Sequence, residues 1–166
     1  MITMEELNDF TEFQKLVSAR GKLIRTVSYD LEAVQSNASV LGAQVMLVDS
    51  AGKTEYFLQL TREGEHEDEY DIAAIAEADI KILVKALADL KEASQVDIYV
   101  NADHIQNIFA TEDYLTVGYF VLDKTVTWFV GFDEFCEDLE YFEDLSILEN
   151  LLKCAQDKIK EIKTAK

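Results

Sequence analysis

The stretch 71-DIAAIAEADIKILVKALADLKEASQVDIYVNADHIQNIF-109 decides which fold this sequence predicts. Its first half carries apolar residues at spacings of three and four, the pattern of one buried helical face. This apolar stripe consists of Ile72, Ile75, Ala76, Ile80, Leu83, Leu87 and Leu90. The stretch therefore predicts a long helix over Asp71–Leu90, a turn at Ala93-Ser94 and a buried strand over Gln95–Val100. A second helix is expected after the polar residues 101–104.

One carboxylate interrupts the apolar face of this predicted helix. At about 100° per residue, Asp79 falls between Ile75 and Leu83, inside the stripe. A carboxylate on a packing face is unfavourable unless it is paired or coordinated. The pattern therefore marks Asp79 as a residue with a structural or chemical role.

The rest of the chain shows helical spacing and strand alternation on both sides of this stretch. Apolar residues at helical spacing predict a helix over Met4–Arg20. Residues 49–52 and Asp123-Lys124 have the composition of hairpin turns. The predicted strands are Lys22–Tyr29, Val40–Val48, Thr54–Thr61, Tyr114–Leu122 and Thr125–Gly131. Residues 132–163 predict one long helix, or two helices joined near Asp144.

The order of these elements predicts one domain in residues 1–166, of the α/β (or α+β) class. We expect a single mixed β-sheet flanked by helices. Its parts are an N-terminal helix in residues 1–21, the sheet with its helices in residues 22–131, and a long C-terminal helix in residues 132–166. The chain contains no proline and shows no convincing sequence repeat.

Acidic residues outnumber basic residues by 33 to 15, which gives a formal net charge of −18. Eight carboxylates lie in Glu63–Asp79 and eight more in Asp133–Glu149, and neither run contains Lys or Arg. Such a charge opposes direct binding to a nucleic-acid backbone. The two acidic runs are either a solubilising surface or an imitation of a phosphate backbone that occupies a basic groove on a partner protein.

Composition also indicates where the protein works. The sequence has no run of about 18 apolar residues, so it predicts no membrane span. Its N-terminus lacks the basic and apolar segments of a signal peptide. The two cysteines, Cys136 and Cys154, are expected to be free thiols on one helix. Together these features predict a cytoplasmic protein.

Two segments resemble the ribonuclease H-like fold. LGAQVMLVDSAGKTEYFLQL, residues 41–60, is similar to the second and third strands of that family around a glycine turn. AEADIKILVKALADLKEASQVDIYVNADHI, residues 76–105, is similar to its helix and fourth strand. The resemblance covers about residues 22–110 and implies a sheet in which Val96–Val100 runs parallel to the first strand. It also implies an active site in which carboxylates hold two divalent metal ions.

The positions that this resemblance assigns to the metal site are only partly acidic. The first-strand aspartate falls at Val27, the helix glutamate at Asp79 and the fourth-strand aspartate at Asn101. Valine cannot bind a metal, and an amide is a weaker ligand than a carboxylate for a hard cation. Asp30 and Asp103 lie near the two lost positions and are candidate substitutes. The candidates for a further aspartate on a late helix are Asp133, Asp138 and Asp144.

Three interpretations from different functional classes follow. We favour a non-enzymatic, highly acidic interaction protein that imitates nucleic acid and inhibits a basic nucleic-acid-processing protein, as phage inhibitors of host nucleases do. Its partner-binding residues are expected in the two acidic runs, at Glu65, Glu67, Asp68, Glu69, Glu137, Asp138, Glu140, Glu143 and Asp144. Such a protein needs no cofactor and binds neither nucleic acid nor a membrane directly.

The two alternatives use other residues. The first is a Mg²⁺-dependent, ribonuclease H-like nuclease with relocated carboxylates. Its catalytic residues would be Asp79, Asn101, Asp103 and Asp30, and Asp79 and Asp103 would bind the metal. The second is an acidic assembly or adaptor protein that forms homo-oligomers through its C-terminal helix. Other chemistry is sparse, because the sequence has no glycine-rich phosphate loop and no Cys/His cluster with metal-binding spacing.

Overall fold

The computed structural model describes residues 11–63, 70–112, 115–132 and 139–165. These residues form three helices and nine strands. The helices are α1 (Glu12–Val17), α2 (Glu77–Asp97) and α3 (Ser146–Thr164). The strands are β1 (Ile24–Asp30), β2 (Val34–Gln35), β3 (Val40–Ser50), β4 (Lys53–Glu63), β5 (Tyr70–Ala76), β6 (Ile105–Ala110), β7 (Thr116–Leu122), β8 (Thr125–Gly131) and β9 (Leu139–Phe142).

The strands form two antiparallel sheets, so the predicted single mixed sheet is wrong. The first sheet has the order β1-β3-β4-β5, and β2 pairs with the beginning of β3. The second sheet has the order β6-β7-β8-β9. Every strand pairing in the described residues is antiparallel. The fold is therefore of the α+β class.

The predicted helix over Asp71–Leu90 begins later than its apolar spacing indicates, because its first residues form strand β5. β5 pairs along β4 over its whole length, which satisfies its backbone. Strand alternation buries Ala73 and Ile75 and leaves Ile72 exposed. An apolar pattern this short is compatible with the residue spacing of a helix and with that of a strand. The segment is a strand because it pairs with β4.

Helix α2 begins at Glu77, so Asp79 lies in its first turn rather than inside a buried stripe. Asp79 is partly exposed there. Acidic side chains in the first turn of a helix are stabilised by the helix dipole. This position accounts for the carboxylate that the helical periodicity marked as unusual.

No parallel strand follows α2 in the described residues, because the helix continues through the predicted turn to Asp97. Ser94 stays helical, and its hydroxyl donates a hydrogen bond to the Lys91 carbonyl at 2.7 Å. Ile98, just after the helix, is partly buried, and the next two residues, Tyr99 and Val100, are 81% and 48% exposed. The predicted strand over Gln95–Val100 is therefore wrong, and the structure does not confirm a ribonuclease H-like arrangement.

Two further predicted helical segments are strands. The residues after 104 form β6, in which Ile105 and Phe109 face the core and Ile108 is exposed. Residues 132–163 are not one helix, because β9 precedes α3. The backbone N–H of Ser146 donates to a carboxylate oxygen of Asp144 at 2.9 Å, at the start of α3. Cys154 is an exposed free thiol on α3, while Cys136 lies outside the described residues.

The two hairpins are confirmed where the sequence predicts them. β3 and β4 flank Ala51-Gly52, and β7 and β8 flank Asp123-Lys124. All four turn residues have positive φ, between 50° and 79°. This is the type I′ geometry that matches the twist of paired strands. Strand β1 is confirmed as well, and α1 lies within the predicted N-terminal helix, of which residues 4–10 lie outside the described residues.

The two halves of the chain repeat one structural unit, four antiparallel strands followed by a long helix. Strands β1, β3, β4 and β5 with α2 correspond in order to strands β6 to β9 with α3. Each unit has an aromatic–Phe–aliphatic triplet that begins four residues after its hairpin turn, Tyr56-Phe57-Leu58 and Trp128-Phe129-Val130. Both phenylalanines are fully buried. A repeat carried by topology and so few residues is not visible in the sequence alone.

One hydrophobic cluster joins both sheets with α2 and α3. A smaller cluster lies on the outward side of the first sheet, where α1 covers Phe57 and the ring of Phe13 meets that of Phe57 edge-on at 5.2 Å. None of the helices in the described ranges is long and apolar enough to cross a membrane.

Candidate protein-interaction surface

The negative charge of the chain is concentrated in the part that contains the second sheet. Residues 92–152 carry 14 acidic residues and a single basic residue, Lys124, which is a formal charge of −13 out of −18. The same segment holds 11 of the 17 aromatic residues. The segment from the end of α2 to the first turns of α3 therefore carries most of the net negative charge and most of the aromatic side chains.

Four exposed carboxylates lie at one end of the second sheet, which we call the acidic end: Asp103, Asp123, Glu143 and Asp144. Asp103 precedes β6, Asp123 is in the β7–β8 turn, and the other two follow β9. The antiparallel register brings the start of β6, the end of β7, the start of β8 and the end of β9 to the same edge. Because neighbouring strands are about 4.8 Å apart, these charges span about 14 Å.

The carboxylates of the acidic end are not neutralised within the described residues, where no ion pair involves any of the four. The ion pairs that are present lie on the first sheet, on the helices or in the interior. At physiological salt, charges within about 8 Å are only partly screened from one another. The acidic end therefore presents a joint negative potential.

The second sheet has one face turned away from the hydrophobic core, which we call the outward face. Its strand residues carry no charge. Its described strand residues are Gln106, Ile108, Ala110, Thr116, Gly118, Phe120, Leu122, Thr125, Thr127, Phe129, Gly131, Leu139 and Tyr141. The ring of Phe120 stacks on Phe129 at 5.2 Å and meets Tyr141 edge-on at 5.8 Å. His104 lies beside the same ring at 5.9 Å. An aromatic cluster therefore lies next to the acidic end.

Glu140 is the single acidic residue of β9, and unlike the carboxylates of the acidic end it is buried and paired. Its carboxylate accepts a hydrogen bond from an Arg62 guanidinium N–H at 3.2 Å and one from the Ser36 hydroxyl at 2.8 Å. Arg62 also pairs with Asp71 and lies over the ring of Phe132 at 5.1 Å. Arg62 and Asp71 belong to the first sheet and Glu140 to the second, so this pair joins the two sheets. Glu140 is not part of the exposed surface.

The sequence-predicted partner-binding residues therefore divide into three groups. Glu143 and Asp144 are exposed at the acidic end, and Glu140 is buried. The remaining predicted residues lie outside the described residues: Glu65, Glu67, Asp68, Glu69, Glu137 and Asp138.

The structure does not bring the candidate nuclease residues together. Asp79 is in the first turn of α2 and Asn101 and Asp103 lie beyond its last turn, and the helix between Asp79 and Asp97 spans about 27 Å at about 1.5 Å per residue. Asp30 accepts a hydrogen bond from the Gln44 side chain at 2.8 Å. Val27 packs against the core. Within the described ranges, no group of three or more His, Cys, Asp or Glu residues is arranged to hold a metal ion.

The sequence alone does not predict that Asp123, Phe120 and Tyr141 belong to one surface. Asp123 was visible only as a turn residue, and Phe120 and Tyr141 belong to patterns that suit a covered strand or a helix equally well. The available signal was the near-absence of basic residues from 92 to 152. No protein-family model matches the chain, and no curated protein or solved structure is significantly similar to it.

The buried side chain of Tyr119 links the second sheet to helix α2. The Tyr119 hydroxyl donates a hydrogen bond to a carboxylate oxygen of Asp97 at 2.5 Å, and the Asn107 amide donates to the Tyr119 oxygen at 3.2 Å. Burial raises the pKa of Tyr119 above its ordinary value of 10.0, and the bond to Asp97 raises it further. The bond ties the end of α2 to β7.

We expect the raised pKa of Tyr119 to appear as a loss of stability in alkali. Because the folded-state pKa lies above the unfolded value, the stabilisation is complete below about pH 10 and declines as the pH rises through the folded-state pKa. Urea unfolding of the wild type and of Tyr119→Phe, at about pH 8 and about pH 11, measures this difference. The wild type should lose more stability than Tyr119→Phe over that interval. Tyr99→Phe is the matched control, and a wild-type decline no larger than that of Tyr119→Phe would contradict the assignment.

Proposed function

We propose that this protein is a non-enzymatic inhibitor that binds a basic, nucleic-acid-binding protein and competes with its nucleic acid. The observation that carries the proposal is the acidic end, where four exposed carboxylates on one edge of a sheet have no ion-pair partner within the described residues. A partner with clustered Lys and Arg would neutralise these charges and relieve their mutual repulsion. The same carboxylates would repel the phosphate backbone of a nucleic acid.

A rigid sheet edge suits this role better than a flexible acidic tail. Asp123 lies in a tight turn, and the other three carboxylates lie within two residues of paired strands, which limits how far their spacing can change before a partner binds. Pre-organised groups lose less conformational entropy on binding than groups on a disordered segment. Long-range attraction to the acidic end also accelerates the encounter of the two proteins.

The two alternative functions have less support. The nuclease alternative needs carboxylates that lie at opposite ends of α2. The assembly alternative needs an apolar stripe on the C-terminal helix that is free to bind another copy. The apolar residues of α3 are instead buried in the protein: Leu148, Leu151, Leu152, Ala155, Ile159 and Ile162.

The proposed function is tested by the association kinetics of a defined probe, a short peptide rich in Arg and Lys and without apolar side chains. We expect fast association that weakens steeply as the ionic strength rises from about 0.05 to about 0.3 M. The variant Asp103→Asn/Asp123→Asn/Glu143→Gln/Asp144→Asn should lower the association rate about tenfold, because it removes the local attraction. Asn at position 144 retains an acceptor for the start of α3.

A matched control separates the acidic end from net charge. The variant Glu32→Gln/Glu63→Gln/Asp89→Asn/Asp157→Asn removes the same number of exposed carboxylates from other parts of the molecule. We expect it to change the rate less than about twofold, because charges beyond a Debye length are screened. Equal effects of the two variants, or association that is indifferent to salt, would contradict the proposal.

A further inference from the structure

We infer that the outward face of the second sheet, around Phe120 and Tyr141, docks the apolar side of a basic amphipathic segment of the partner. This inference rests on the proposed function, because it names the kind of partner segment that the acidic end attracts. Four observations carry it: the absence of charge on this face, its exposed apolar residues, the carboxylates at one end of it, and the way the equivalent face of the first sheet is covered.

The outward face has exposed apolar side chains besides the exposed polar Gln106 and Thr125. Ile108 is 46% exposed, Leu122 55% and Tyr141 39%, and Phe120 is partly exposed among them. Ile108 and Tyr141 lie in one cross-strand row, on either side of Gly118 and Phe129. Exposed apolar residues that form a contiguous patch beside a polar rim mark interaction sites more often than singly scattered ones do.

The structural repeat indicates what covers such a face. Phe57 in the first sheet and Phe129 in the second occupy equivalent positions, five residues after the hairpin turn. On the first sheet the chain supplies a helix, α1, whose Phe13 and Leu16 pack on the cluster that contains Phe57. No helix in the described ranges packs on Phe120 and Tyr141. On the second sheet the ring of Phe120 stacks on Phe129, and in the proposed complex a partner segment packs over Phe120 as α1 packs over Phe57.

The charge around the face selects a basic segment. Asp103 and Asp123 border it at the β6 and β7 ends, and Glu143 continues the register of β9 next to Thr127. Apolar side chains of an amphipathic helix can pack on Ile108 and Tyr141 while its Lys and Arg side chains reach these carboxylates. An Arg guanidinium can also stack on the Tyr141 or Phe120 ring. The affinity then has two contributions. Salt does not screen the apolar contribution, but it weakens the ionic one.

The experiment uses two peptides of identical composition that contain Arg, Lys, Leu and Phe. In the first, apolar residues recur at helical spacing, so a helix has one apolar and one basic face. In the second, the order is shuffled so that no such face forms. Equilibrium binding of both is measured at low and at high salt. We expect the wild type to bind the amphipathic peptide about tenfold more tightly, a difference that survives at high salt.

Two double variants locate the apolar contact. Ile108→Thr/Tyr141→Thr removes two exposed apolar side chains from the outward face and keeps β-branched residues in the strands. We expect it to remove the preference for the amphipathic peptide and to weaken the salt-sensitive binding of the shuffled peptide by less than about twofold, since an Arg side chain can still stack on Phe120. Val40→Thr/Ile72→Thr removes two exposed apolar side chains from the first sheet and should keep the preference.

The outcomes separate this inference from the proposed function. Equal, salt-sensitive binding of the two peptides by the wild type would overturn the docking site and leave the proposed function standing. A preference that is lost equally in both double variants would also overturn the docking site. Failure of both peptides to bind with salt dependence would overturn the proposed function itself. Near-ultraviolet circular dichroism of each variant checks that a loss of peptide binding is not caused by a loss of folded structure.

Discussion

Replacing Glu140 by Ala should lower the free energy of unfolding by about 3 kcal/mol, because it leaves the buried Arg62 guanidinium without its partner from the second sheet. The side chains of Arg62 and Glu140 are only 8% and 11% exposed, so water cannot fully replace the lost carboxylate. The Ser36 hydroxyl loses one of its two acceptors at the same time, and the Ser39 carbonyl oxygen at 3.0 Å remains. Asp71 still pairs with Arg62, which places the effect at the low end of the range for buried ion pairs.

Urea unfolding of the single and double variants measures this effect. Arg62→Met/Glu140→Met should recover much of the stability lost in Glu140→Ala, since the one carboxylate that loses Arg62, that of Asp71, is 39% exposed and can be hydrated. Glu143→Gln, three residues along and exposed, is the control and should change stability by less than about 0.5 kcal/mol. A loss below about 1 kcal/mol in Glu140→Ala would show that the pair does not join the two sheets energetically.

Gly118→Ala should lower the free energy of unfolding by about 1–3 kcal/mol, because the sheet has no room for a methyl group at this position. A Cβ atom there would lie 2.3 Å from the Asn107 carbonyl oxygen and 2.9 Å from the Ile108 Cα, both backbone atoms of β6. Backbone cannot move aside without weakening the β6–β7 pairing. The outward face would lose its geometry together with its stability.

Gly42→Ala provides a matched comparison for Gly118→Ala within the first sheet. Its Cβ would meet the Thr61 hydroxyl at 2.5 Å, but a side chain can rotate away where a backbone cannot. We therefore expect Gly42→Ala to cost less than about 1 kcal/mol. Thermal or urea unfolding of the two variants side by side checks the difference. Equal losses would mean that the close approach of β6 to Gly118 does not constrain the second sheet.

The sequence predicted strands reliably where two kinds of signal agree. β3, β4, β7 and β8 combine strand alternation with a hairpin turn, and the two type I′ turns lie where the sequence places them. The helical segment after residue 77 was also identified, because its stripe is long. In these places local propensity and tertiary packing favour the same structure.

The secondary-structure predictions were wrong where a short apolar segment is compatible with both helical and strand spacing. Residues 71–76 and 139–142 were assigned to helices and are strands, because a neighbouring strand edge pairs with them. Such pairing depends on residues far along the chain, which local spacing does not report. The error in β9 also misplaced Glu140, which strand alternation turns into the core, whereas a helix would have exposed it.

The candidate surface was only partly predictable for the same reason. Glu143 and Asp144 belong to an acidic run that the sequence displays, but Asp103 and Asp123 join them only through the register of β6, β7 and β8. Nothing local in the sequence relates the turn after Leu122 to the residues before Ile105.

Competition with nucleic acid tests the proposed function most directly. A labelled single-stranded oligonucleotide is bound to an Arg- and Lys-rich peptide, and its fluorescence anisotropy is followed as this protein is added. We expect the wild type and Glu32→Gln/Glu63→Gln/Asp89→Asn/Asp157→Asn to release the oligonucleotide, and Asp103→Asn/Asp123→Asn/Glu143→Gln/Asp144→Asn to require about tenfold more protein. Release at equal concentrations by all three proteins, or by none, would contradict a nucleic-acid-competing role for the acidic end.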